Sequence, residues 1–160
     1  MSFKVGNRTW PYDSIAHVGV GLEGHPNNAT PHLEYVNTLG IPQYVVFTLT
    51  NDNSFGLVSV DLADSVAPSL TPVGIVFNGF KADGSIVSQT FTVGGGGSTT
   101  FETFQFNPEF AFGLTRVEIP SPAWAMDNLV WIPEPSALSM FFVGVGALAF
   151  RQRRRKLTAI

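Results

Sequence analysis

From Tyr44 to Ile132 the sequence never goes more than about a dozen residues without a turn signal, and this restricts the fold more than any other feature. "YVVFTLT" (44–50) is β-branched and aromatic, and "NDNSFG" ends it. "LVSVDLA" (57–63) alternates Leu57, Ser59 and Asp61 with Val58, Val60 and Leu62, the period of a strand with one buried face. "VGIVFNGF" (73–80) comes after Pro68 and Pro72. Asp83-Gly84 then makes a tight turn, and "SIVSQTFTV" (85–93) returns across it with Val87, Phe91 and Val93 on one face. "GGGGS" (94–98) is a loop, and "TFETFQF" (100–106) sets Phe104 beside Phe106. "LTRVEI" (114–119) and "AMDNLVWI" (125–132) are the last strands, separated by the proline-bearing "PSPAW".

About seven strands with no helix in the body are expected to form an all-β fold, an antiparallel jelly-roll-like β-sandwich of about seven or more strands over residues 1–132. The first 43 residues are less regular. "GLEGHPNNATPH" is a polar loop, and "LEYVNTLG" reads as a short strand or one helical turn. A chain of 160 residues, 44% hydrophobic with 14 phenylalanines, supports a single core, and no internal repeat or second domain is visible. There is no cysteine, which excludes disulfides, thiolate metal sites and cysteine nucleophiles.

Charge divides the chain in two. The net charge is -3, yet five of the nine basic residues are Arg151, Arg153, Arg154, Arg155 and Lys156. Up to Ile132, four bases stand against eleven acids, a net -7. Nucleic acid is not expected as a partner of such a body, because phosphate contacts need clustered Lys or Arg. The basic cluster therefore belongs to a different part of the molecule, residues 133–160.

That part reads "PEPSALSMFFVGVGALAFRQRRRKLTAI". Ala137 to Phe150 is an uncharged run of about 14 residues, shorter than the roughly 20 of a spanning helix, though flanking apolar residues and snorkelling arginines lengthen it. The bases directly after the run orient it with its end on the cytoplasmic side and the body outside. Pro133-Glu134-Pro135, an apolar helix and an arginine-rich end, in that order within the last 30 residues, closely resemble the PEP-CTERM sorting signal.

The resemblance implies processing by exosortase, a membrane-bound transpeptidase-like cysteine enzyme of Gram-negative bacteria often encoded with exopolysaccharide genes. It assigns Pro133, Glu134 and Pro135 as the sorting motif, and the bases from Arg151 to Lys156 as the membrane-orienting end. It implies a transient inner-membrane anchor followed by delivery to the cell surface or extracellular matrix. "FGLVSVDLA", "GIVFNGFKADGSIVSQTF" and "AMDNLVWIPEPS" are similar to the secreted β-rich domains that precede this signal. On the residues alone, the prolines are expected to keep the motif extended and unpaired, open to a protease. Such proteins usually start with a secretory signal peptide. "MSFKVGNRTWPYDS" has no apolar h-region, so the expectation is that the true start lies upstream.

Nothing in the body specifies an enzyme. His17, His25 and His32 lie near Asp13, Glu23 and Glu34, but no two histidines have zinc-site spacing, and solvated loop residues are the expectation. Glu102, Glu109, Glu118 and Asp127 are the carboxylates that a glycosidase would need on or near strands. Glu118 alternates with Val117 and Ile119 and is expected to face solvent. Asp127, between Met126 and Asn128, is the one calcium candidate, with structural hydrogen bonding as the favoured reading. No other metal or cofactor is expected. No Gly-x-Ser-x-Gly is present, and Gly94–Gly97 lacks the Lys-Ser/Thr of a phosphate loop. Trp10, Tyr12, Trp124 and Trp131 are either a sugar-stacking face or, preferably, the rim of the core.

The expectation is a non-catalytic exported surface or matrix protein, associated with polysaccharide or structural. A secreted carbohydrate-active enzyme and a permanently tail-anchored membrane protein are the alternatives.

Overall fold

The computed structural model describes residues 2–5, 26, 30, 32–35, 44–49, 53–65, 71–95, 100–121 and 123–134. Nine strands lie among them: β1 (Ser2–Val5), β2 (Leu33–Tyr35), β3 (Val45–Thr48), β4 (Phe55–Asp64), β5 (Val73–Lys81), β6 (Ile86–Val93), β7 (Glu102–Gln105), β8 (Leu114–Ile119) and β9 (Trp124–Pro133). The one helical element described is a 3-10 turn at Pro108–Phe110. The all-β expectation holds, and "LEY" resolves as a strand rather than a helical turn. β1 had no signal in the sequence.

Every pairing is antiparallel, and together they make one connected open sheet. Two runs of strands can be traced in it. One is β1-β3-β8-β5-β6. The other is β7-β4-β9-β2. The pairing of Phe55 with Leu114 is the bridge between β4 and β8. Instead of two separately bonded sheets, the strands form one sheet joined at that bridge.

A single core serves both runs. Val45, Phe47, Ile75, Phe77, Phe91, Val93, Val117 and Ile119 from the first pack with Phe55, Leu57, Val60, Leu62, Trp124 and Met126 from the second. Phenylalanine rings also connect elements that are not paired in the sheet. Phe91 on β6 lies 5.0 Å from Phe104 on β7, and Phe106 lies 5.2 Å from Phe77, from Phe91 and from Phe110. Edge-to-face contacts such as Phe77–Phe91 (71°) put the positive ring edge against a negative face.

Bulges correct the simple alternation read from the sequence. Leu57 shares the core face with Val60 and Leu62 instead of opposing them. The register with β9 runs Leu57↔Trp131, then Ser59↔Val130, so Val58 is an extra residue on β4. Its carbonyl accepts the Phe106 N–H at 2.9 Å, so the interruption leaves that group paired. β8 uses the same device: Lys81 pairs with Leu114 and Phe80 with Arg116, leaving Thr115 over. The Thr115 hydroxyl donates to the Phe80 carbonyl at 3.1 Å.

Two other sequence features fall where expected. The β5–β6 hairpin turns through Ala82–Gly84, with Gly84 at φ 86° and the Lys81 N–H bonded to the Ser85 carbonyl at 2.9 Å. Val87, Phe91 and Val93 of β6 face the core. The apolar run 137–150 and the bases from Arg151 to Lys156 lie outside the described residues. Among the described residues, no helix is long and apolar enough to cross a membrane.

Candidate functional site

β9 delivers the first residues of the motif directly from the sheet. It pairs with β4 through Phe55↔Pro133, one residue past the expected seam at 132/133. The expectation that the prolines keep the motif out of the sheet is therefore corrected for Pro133. Proline lacks only the N–H, so it is tolerated as the last residue of a strand, where the ladder asks no further donation from it. The next residue, Glu134, continues the ladder with its N–H donating to the Ser54 carbonyl at 3.3 Å.

The Glu134 side chain is held as well. The Ser54 hydroxyl donates to Oε2 at 2.5 Å, and the Gly113 N–H donates to Oε1. Both carboxylate oxygens are thus engaged, each by a donor that suits a negative charge. Gly113 belongs to the loop between the 3-10 turn and β8, with φ 79°. That loop rests on β4 at Gly56, where an added Cβ would meet the Ala111 carbonyl oxygen at 1.8 Å. The Gly113 carbonyl accepts the Ala82 N–H at 3.0 Å, tying the loop to the β5–β6 hairpin.

A family model for the PEP-CTERM protein-sorting motif matches residues 132–156. The chain carries a PEP-CTERM sorting motif. A search of curated proteins finds no match to the chain. The family match begins at Ile132, so the PEP-CTERM segment overlaps the end of β9 and shares Pro133 with it. Pro135 and the basic residues lie outside the described residues.

The other candidates lie apart from this motif. Asp127 is opposite Asp61 in the β4–β9 register. Its Oδ2 accepts the Thr30 hydroxyl and its Oδ1 accepts the Asn128 N–H, both at 2.7 Å. Asn128 has φ 46°, and its side-chain amide donates to Asp61 Oδ2 at 2.8 Å. Thr103 donates to Asp61 Oδ1 at 2.6 Å. The register steps from Ser59↔Val130 to Asp61↔Asp127, so β9 holds one extra residue here. Asp127-Asn128 is therefore part of a second bulge on the β4–β9 ladder: Asn tolerates the left-handed conformation, and the two aspartates bind the groups that the bulge turns outward. Asp61 was not singled out in the sequence, because only the register brings it to Asp127.

Among the described residues, no three His, Asp or Glu side chains form a group that could hold a metal. His32 is buried, its ring edge-on to Phe101 at 5.3 Å and its Nδ1 3.4 Å from the Thr30 carbonyl. His17, His25, Asp13 and Glu23 lie outside the described residues. Glu102 is on β7, Glu109 on the 3-10 turn and Glu118 on β8, where it pairs with Arg116 at 3.0 Å. Trp124 is fully buried and donates its indole N–H to the Ser121 carbonyl at 2.6 Å, so it belongs to the core and not to a sugar-stacking face. Trp131 is 36% exposed, and Trp10 and Tyr12 lie outside the described residues.

Proposed function

We propose that the chain is an exported, non-catalytic protein that an exosortase-type enzyme processes at its PEP-CTERM motif and delivers to the cell surface or extracellular matrix. The observation that carries this reading is the family match at 132–156, which overlaps the last two residues of β9. In this reading, the two strand runs close over their shared phenylalanine core as a jelly-roll-like sandwich. The apolar run 137–150 is the transient inner-membrane helix, and Arg151, Arg153, Arg154, Arg155 and Lys156 hold its end at the anionic inner leaflet, each base contributing about 1 kcal/mol. The body associates with neutral or cation-bridged polysaccharide, since its net charge of -7 repels acidic polymers unless a divalent ion such as calcium intervenes.

Processing separates the roles of the motif and the basic end. Glu134→Ala leaves the apolar run and bases intact, so the chain is expected to insert but to accumulate uncut in the membrane fraction. Neutralising the four arginines is expected to loosen retention before cutting. A mass-resolved blot of membrane and medium fractions, in a host with the sorting enzyme, reads both. Wild-type processing and release of both variants would refute the proposal.

A further inference from the structure

We infer that Ser54 and Gly113 form a carboxylate-binding site on the β body, that Glu134 is its ligand, and that this site competes with the sorting enzyme for the motif. The second part rests on the sorting function proposed above; the first does not.

The site is built from three separate parts of the chain. Ser54 precedes β4 and supplies a hydroxyl donor to Oε2, together with a carbonyl that accepts the Glu134 N–H. Gly113 precedes β8 and supplies a backbone donor to Oε1. The Phe55↔Pro133 pairing sets the register that places Glu134 between them. The loop bearing Gly113 is itself fixed: Phe110 is buried at its start, Ala111 presses on Gly56, and Gly113 bonds to Ala82. Donors held this way are preorganised for a carboxylate that arrives at the end of an extended strand.

An enzyme that reads Pro-Glu-Pro needs Glu134 free of other partners. Here both carboxylate oxygens and the backbone N–H are already bonded to the body. Glu134 becomes available only when the end of β9 peels from β4, a local opening that leaves the rest of the sheet intact. Two charge-assisted hydrogen bonds, each a factor of about ten, would keep the open form on the order of one molecule in a hundred. The folded body would then set the rate at which its own sorting motif is presented.

The test uses the full-length chain in detergent micelles. Amide exchange at Gly113 is measured for wild type, Ser54→Ala, Glu134→Ala and Glu134→Gln. The site predicts that Glu134→Ala speeds Gly113 exchange by about tenfold or more, while Glu134→Gln, which keeps an oxygen acceptor, retains part of the protection. Cleavage after Pro133 by a post-proline endoprotease should rise about tenfold in Ser54→Ala, as one charged hydrogen bond is lost. Gly113 exchange that is the same in wild type and Glu134→Ala overturns the site. In a host with the sorting enzyme, Ser54→Ala should be processed faster than wild type. Equal processing rates overturn the competition. If neither chain is processed while Gly113 protection still depends on Glu134, the sorting proposal and the competition fail and the carboxylate site stands.

Discussion

Gly56→Ala tests how closely the loop that carries Gly113 sits on the sheet. A methyl group at residue 56 would lie 1.8 Å from the Ala111 carbonyl oxygen and 2.4 Å from its carbon, about 1.6 Å short of ordinary contact. Both atoms are backbone, so no side chain can rotate away, and the loop or β4 must shift. Overpacking of this kind typically costs about 1–3 kcal/mol, and a clash with backbone belongs at the upper end. For a chain of this size, about 3 kcal/mol lowers the melting temperature by roughly 10 °C. The assay is thermal unfolding of the full-length chain in a mild detergent, followed by circular dichroism at the β-sheet band. Gly74→Ala is the internal control. Its methyl would meet only Thr90 Cγ2 at 3.6 Å, and replacing a strand glycine by alanine stabilises by about 0.5–1 kcal/mol where space allows. If Gly56→Ala melted within about 2 °C of wild type, the close approach of β4 and the 111–113 loop would be wrong, and the support argued for the Glu134 site would go with it.

Ser121→Ala removes the hydroxyl oxygen that accepts the Val76 N–H at 2.8 Å, and should cost about 1–3 kcal/mol in denaturant unfolding by leaving that amide without its acceptor. Asn128→Ala should destabilise by about 1–2 kcal/mol through its φ of 46° and its lost bond to Asp61, while Asn128→Gly should recover the backbone part but not the bond. The Asp83 carboxyl is held below its ordinary value of 3.8 by the Ser85 hydroxyl first and the Ser85 N–H second. The hairpin stability linked to Asp83 is therefore present above that value and is lost as the pH falls through the lowered folded one. Ser85→Ala should move the Asp83 titration, followed by carboxyl NMR, back toward 3.8; an unchanged titration would refute the assignment.

Strand positions were legible because alternation and turn residues are local. β3 to β9 fall within a few residues of the runs read from sequence, and the Asp83-Gly84 turn is where its residues placed it. The PEP-CTERM motif was legible for the same reason, since its order of parts is written along one stretch of chain. β1 escaped because "SFKV" is too short to show a period. Leu57 was assigned to the wrong face because a bulge adds one residue and reverses every side chain beyond it.

The contacts that distinguish the site were decided only in three dimensions. Asp61 meets the Asp127-Asn128 bulge from 67 residues away, and Ser54 meets Glu134 from 80. A period of two tells which face a side chain takes, but nothing about which strand lies opposite or in which register. The strands β3 to β9 and the sorting motif were thus properties of the sequence by itself. The docking of Glu134 at Ser54 and Gly113 depended on how β4 and β9 align, and that alignment follows from packing one phenylalanine core between two runs of strands.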